Sequence, residues 1–297
     1  MKREPAQCRL SGLVTLLLAY VFIRQAQCQE KVPPSDLSLA NFFTEGWDQS
    51  WVKRARGDGT PDMSLLRVQS NFLVQLLRAD TFLETGMTAP NTSRSEFVNG
   101  TVEYALNRRF MPAIFFSHQW IERASGAVDR DGSAGGLFAR LQMVDRQHDS
   151  LAFNLKMALP NTGIGDHATI WSYALAGWED LRALGLGRTG LYWHLQHEMA
   201  GGPVRQGTVR NDLNYALSLA HTWTSPHDKL ENLTTFIEAV GKTYLDGDHS
   251  GRTISSITPG LRFTLGGKHI MMAGADIPLA GPRSFGSLYR MIYIFNF

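Results

Sequence analysis
His194 and His197 stand three apart on a stretch that also carries Glu198. An imidazole beside a hydroxyl can activate it as a nucleophile, and Ser172 or Ser218 offers the partner chemistry. The segment Gln196-His197-Glu198-Met199-Ala200-Gly201-Gly202, however, lacks the His-x-Ser-Asn-Gly pattern expected of a membrane-embedded serine hydrolase. The two histidines also fall on opposite faces if the stretch is extended, because side chains alternate along a strand. His194 and Glu198, four apart, share a face but lie two side-chain repeats from each other, a poor metal pair. The residues therefore predict no catalysis, no metal and no cofactor.

The other polar groups of interest are ionisable: Arg67, Arg140, Lys156, Arg210, Lys242, Arg262 and Arg290 against Glu103, Glu198, Asp212, Glu238 and Asp276. Each occupies the polar side of an alternating stretch. Leu151, Phe153, Leu155, Met157 and Leu159 alternate with Ala152, Asn154, Lys156 and Ala158. Leu191, Trp193, Leu195 and Met199 alternate with Tyr192, His194, Gln196 and Glu198, and Val209, Leu213, Tyr215, Leu217 and Leu219 with Arg210, Asp212, Asn214, Ser218 and Ala220. Period two is the signature of a strand, and about twelve such strands can be drawn. Their spans are 63–76, 96–106, 110–121, 136–144, 151–160, 168–178, 188–199, 207–223, 231–245, 252–266, 269–279 and 287–297.

A sandwich core could not bury these charges without close partners, whereas a wet or ion-paired lumen can. The fold class implied is all-β, a transmembrane antiparallel up-and-down β-barrel of about 12 strands. The apolar residues face lipid and the ionisable ones, with His194, line the lumen. Both signs occur, so the lumen is not a single-sign selectivity ring. An ion-paired filling that holds the barrel shut and a polar channel are both open readings. Asn107-Arg108-Arg109 and Gly266-Gly267-Lys268 are tight turns, and 77–95 and 122–135 are read as long polar loops. Pro112 is read as a bulge or strand entry, since proline cannot donate to a ladder.

The amino-terminal stretch fits export. Lys2, Arg3 and Arg9 precede the apolar run Leu10 to Ile23, and Ala26-Gln27-Cys28 is a small-x-small cleavage site. Gln27 is too large to precede an acylated cysteine, which argues against a lipoprotein. The division expected is a signal peptide over 1–28, a pre-barrel segment over 29–61 with Phe42, Phe43, Trp47 and Trp51, and a barrel over 62–297. No later apolar run reaches the length of a membrane-spanning helix. With a net charge of +2 and Lys53, Arg54 and Arg56 as the densest basic run, a nucleic-acid partner is not expected.

The last ten residues place Tyr289, Met291, Tyr293, Phe295 and Phe297 on one face. That ending resembles the carboxyl-terminal signal of bacterial outer-membrane proteins. The resemblance implies that Tyr293, Phe295 and Phe297 are read by the barrel assembly machinery, in contact with outer-membrane lipid. Ile257-Thr258-Pro259-Gly260-Leu261-Arg262-Phe263 and Ile277-Pro278-Leu279-Ala280-Gly281-Pro282 resemble a family of barrel proteins labelled as meta-pathway phenol-degradation or outer-membrane transporter proteins. This likeness covers the last three strands and the earlier ones only in pattern. It implies a bacterial outer-membrane location and passage of small, hydrophobic solutes; a closed barrel that binds partners, or a lipid hydrolase, are the other readings.

Overall fold
Alternation of apolar and polar side chains closes this chain on itself. The computed structural model describes residues 35–54, 63–85, 92–123, 128–160, 168–201, 211–225, 227–281 and 286–297. The signal peptide expected over 1–28 lies outside them, as do 55–62 and Arg210. Twelve strands follow one another: β1 (Gln75–Thr85), β2 (Thr92–Tyr104), β3 (Phe110–Arg123), β4 (Val128–Asp145), β5 (Asp149–Ala158), β6 (Thr169–Asp180), β7 (Thr189–Gly201), β8 (Asn211–Thr222), β9 (Glu231–Tyr244), β10 (Thr253–Leu265), β11 (His269–Ala280) and β12 (Ser287–Asn296). Each pairs antiparallel with the next, and β1 pairs with β12, so the barrel is closed and has no free edge. Closure pairs each described strand on both sides, which is what a sheet needs in hydrocarbon.

The outer face carries large apolar side chains around much of the wall. Ile114, Phe116, Leu137, Leu195, Leu217, Leu219, Ile237 and Met291 are all exposed. A belt this wide would aggregate in water; lipid is the solvent that suits it. Among the described residues no helix is long and apolar enough to cross a membrane. Most strands run 10–14 residues, enough for a tilted strand to span a bilayer, which takes about 9–11.

Two sequence expectations change here. Residues 63–74 of the strand drawn over 63–76 are not wall; the first strand begins at Gln75, at the end of that stretch, and runs on through what reads as a loop in the sequence. The supposed loop 77–95 contains most of β1 and the start of β2, and 122–135 is largely the ends of β3 and β4. Arg78, Asp80, Phe82 and Glu84 alternate with Leu77, Ala79, Thr81 and Leu83, a true period of two that the charged residues obscure. Pro112 is the third residue of β3, pairs in register with Ala139, and makes no bulge. It is a strand entry, close to the turn, where a missing donor costs least.

The reason 63–74 is not wall lies in its burial. Met63, Ser64, Leu65, Leu66, Val68, Asn71, Phe72, Leu73 and Val74 are all buried, leaving no lipid-facing side. The segment lies inside the barrel, against Leu76, Met111, Ile270, Met272, Ile292, Ile294 and Phe236. A barrel interior that is polar elsewhere thus contains an apolar core built around an inserted length of chain. Each fully buried Leu, Val or Phe contributes about 1.5–3 kcal/mol, so this packing is a large part of what holds the segment in place.

Residues 36–54 cap the end at which the chain enters β1. Leu37 forms a β-bridge with Asp145 at the end of β4, N–H to O at 3.1 and 3.0 Å. Arg109, fully buried in the turn between β2 and β3, donates to the carbonyls of Glu45, Gln142, Met143 and Asn41 at 2.8–3.0 Å. One guanidinium fork therefore ties the cap to the wall, a role its five fixed donors suit. Trp51 adds an indole N–H to the carbonyl of Leu73 at 3.1 Å, joining the cap to the inner segment.

Candidate functional site: the barrel lumen
The inner segment is held strand by strand around the inside of the wall. At its start, Arg262 on β10 donates Nη1 to the carbonyls of Met63 and Ser64 at 3.1 and 3.2 Å. On β9, Glu238 accepts the backbone N–H groups of Arg67 and Val68 at 3.0–3.1 Å. His194 on β7 accepts the Gln69 N–H at Nδ1, 3.2 Å away. Asn154 on β5 donates to the Gln69 side chain and the Ser70 carbonyl, both at 3.0 Å. Ser150 donates to the Asn71 carbonyl at 3.1 Å, and Arg140 on β4 to that of Phe72 at 2.5 Å. The segment makes no ladder of its own. Its backbone groups would be orphaned in the lumen without these side chains, and leaving one unmade costs about 1–3 kcal/mol.

This geometry accounts for much of the ionisable set expected at the lumen. Glu103 and Arg140 pair at 3.0 Å, both buried. Asp276 holds Arg290 at 2.9 Å and Arg67 at 3.3 Å, and accepts the Thr258 hydroxyl at 2.7 Å. Asp212 meets Lys242 at 2.7 Å. Glu198 accepts from Gln196 at 3.1 Å and from Ser172 at 3.3 Å. Arg67 reaches the lumen from the inner segment and not from the wall, a correction to the strand drawn through it. Arg210 lies outside the described residues.

Sequence reading missed the pair Arg78 and Asp80, 2.7 Å apart on the lumen face of β1, because that stretch reads as loop. It placed Asn154 on the inner side of β5 without singling it out, for want of a charge, and missed Ser150, which precedes the drawn start of that strand at 151.

The imagined Ser–His pairing does not form among the described residues. Ser218 donates to the Ile237 carbonyl at 3.1 Å, and Ser172 to Glu198. His197 points outward, its ring 5.6 Å from that of Tyr173. At the carboxyl terminus, Tyr293 and Phe295 face outward around His269, with Tyr293 Oη 2.7 Å from His269 Nδ1. Phe297 donates its backbone N–H to the Gln75 carbonyl at 3.3 Å, at the seam where β12 meets β1.

Between the inner segment and strands β1–β6 lies a cavity of about 280 Å3. Leu66, Arg67, Val68 and Gln69 form one side; Arg78, Asn99, Thr101, Ser117, Phe138 and Lys156 are among the residues of the other. The volume is near the small end for ligand pockets, about 300–1,000 Å3. The lumen is thus part apolar core and part polar chamber.

No family model matches the chain, and no curated protein does. Among solved structures it is similar to an outer-membrane channel from Pseudomonas putida F1, with a TM-score of 0.56 at 11% identity over 81% of this chain and 98% of that one. It is also similar to the NanC porin, with a TM-score of 0.52 at 7% identity over 75% of this chain and 100% of that one. Likeness at such identities is one of architecture: this chain has the closed antiparallel barrel of outer-membrane channels.

Proposed function
We propose that the protein is a bacterial outer-membrane channel for small molecules, narrowed by its own residues 63–74. The observation that carries this is the polar chamber inside the wall, bounded on one side by a segment bonded mainly through side chains. Such bonds can be exchanged for water more readily than a continuous ladder, so the segment is the part of the lumen able to give way. The shared architecture with a channel and a porin supports the reading. Kinship with the phenol-degradation transporters rests on Ile257–Phe263 and Ile277–Pro282 and would add hydrophobic solutes to what passes.

Conductance in planar bilayers tests this. Glu238→Ala strips the acceptor from two backbone N–H groups of the segment and is expected to raise conductance several-fold. In a chain with Cys8 and Cys28 replaced by Ser, Gln69→Cys/Gln196→Cys joins residues already in side-chain contact. Oxidation is expected to suppress conductance and reductant to restore it. A barrel silent in every form would favour the second reading, a closed structural barrel held shut by the apolar core around Leu65 and Phe72.

We further propose that the outward aromatics of β12 are read by the assembly machinery. Phe295→Ser/Phe297→Ser is expected to leave export intact while membrane assembly falls and periplasmic or degraded protein accumulates. Fractionation checks this, and normal outer-membrane levels of the double variant would overturn it.

A further inference from the structure
Most cations of the chamber are already paired. Arg78 meets Asp80, Arg140 meets Glu103, and Arg67 meets Asp276. Lys156 differs: among the described residues its ammonium makes no ion pair, and its one described contact is with the face of Phe115, 4.3 Å from the ring centroid. Glu198 lies on the same row across Ser172 and attracts the ammonium, yet no ion pair joins them; its carboxylate accepts from Ser172 and Gln196 instead. Lys156 is exposed although the wall encloses it, so solvent reaches it from within the lumen.

The Phe115 platform is built into the wall. Gly136 stands opposite Phe115 in register, and a Cβ there would come within 2.6 Å of the Phe115 ring and 2.1 Å of the Met157 carbonyl. Only a glycine lets the ring lie flat on the sheet under the lysine. Phe138, opposite Lys156 in register, extends the apolar floor and carries the Arg140 guanidinium 4.9 Å above its own ring. Leu66 and Val68 form the facing apolar side. Among the described residues the chamber therefore holds one cation without an ion-pair partner, open to solvent beside apolar surfaces.

We propose that Lys156 is a binding site for small organic monoanions, carboxylates with a compact apolar body, in the lumen of this barrel. This deepens the channel reading by naming its substrate class. The carboxylate takes the ammonium, and the apolar body lies between Leu66 and Val68 and the phenyl floor. Multiply charged anions meet no second unpaired cation among the described residues of the chamber.

Benzoate is the probe, with benzyl alcohol as its neutral counterpart. Binding is measured by calorimetry on refolded protein in a zwitterionic detergent, with unheated-SDS mobility checking that each variant is folded. Benzoate is expected to bind the natural chain at least tenfold tighter than benzyl alcohol. Lys156→Gln is expected to lose at least tenfold in benzoate affinity, and Lys156→Arg to retain most of it. Equal benzoate binding by the natural chain and folded Lys156→Gln overturns the site, as does benzyl alcohol binding as tightly as benzoate, or no binding at all. Bilayer conductance on the same preparations separates the two readings. Lysine-dependent benzoate binding in a silent barrel leaves the site standing and sinks the channel, whereas conductance without benzoate binding does the reverse.

Discussion

Arg140→Met is expected to lower the stability of the folded barrel by about 3–5 kcal/mol, the usual cost of breaking a buried ion pair from one side. The substitution keeps much of the volume but leaves Glu103 buried and without its cation. The Asn154 carbonyl oxygen loses a donor at 2.9 Å, and the Phe72 carbonyl loses its tie to the wall. The effect is large because three elements depend on one guanidinium: β2, β5 and the inner segment. Urea unfolding in lipid vesicles measures it. Arg140→Met/Glu103→Leu removes both charges and is expected to recover part of the loss, since an apolar pair of similar volume often replaces a buried ion pair at little cost. A single variant as stable as the natural chain would mean that the inner segment is not held at this point. An unfolding loss fully restored in the double variant would assign no weight to the Phe72 bond.

Leu217→Arg is expected to lower stability in bilayers by about 2–4 kcal/mol, the cost of arginine on the lipid face near the midplane. Leu217 is exposed, central in β8, and flanked in register by Trp193 and Ala239 on the same outer face. Its neighbour Ser218 points inward and donates to the Ile237 carbonyl, so Ser218→Ala is expected to cost only about 0.5–1.5 kcal/mol, one ordinary hydrogen bond. The comparison reports the face assignment directly, because a slip of one residue exchanges inside and outside along the whole strand. A harmless Leu217→Arg in a refolding titration would invert β8 and move Asp212 and Ser218 out of the lumen.

Alternation alone carried the wall. On β5, β7 and β8, where the alternation was drawn out, the apolar and polar sides are the outer and inner sides found among the described residues, because in a barrel each face meets one solvent only. Leu155 faces out and Lys156 in, and Leu217 and Ser218 divide the same way. The closed barrel of twelve strands follows from repeating that rule, together with turns as short as Gly266-Gly267-Lys268. The rule failed at the first strand. Residues 63–76 are rich in apolar side chains, but in 63–74 they are buried all round, with Ser64 and Asn71 among them. Over a dozen residues, an extended segment inside a lumen and a strand in its wall cannot be told apart by composition. What distinguishes them is whether backbone groups meet a neighbouring strand or a side chain, and that depends on residues up to 199 positions away.

The roles of the lumen charges were decided in the same way. Sequence placed Arg140, Glu238 and Arg262 inside as one unsorted set. Tertiary structure made them holders of a chain segment, paired Asp276 with two arginines, and left Lys156 over Phe115 with no ion pair among the described residues. Which charge is spent on structure and which is free for a ligand depends on distances across non-adjacent strands. Periodicity specifies the face a side chain occupies, and only the closed barrel and its inserted segment specify the partner it meets there.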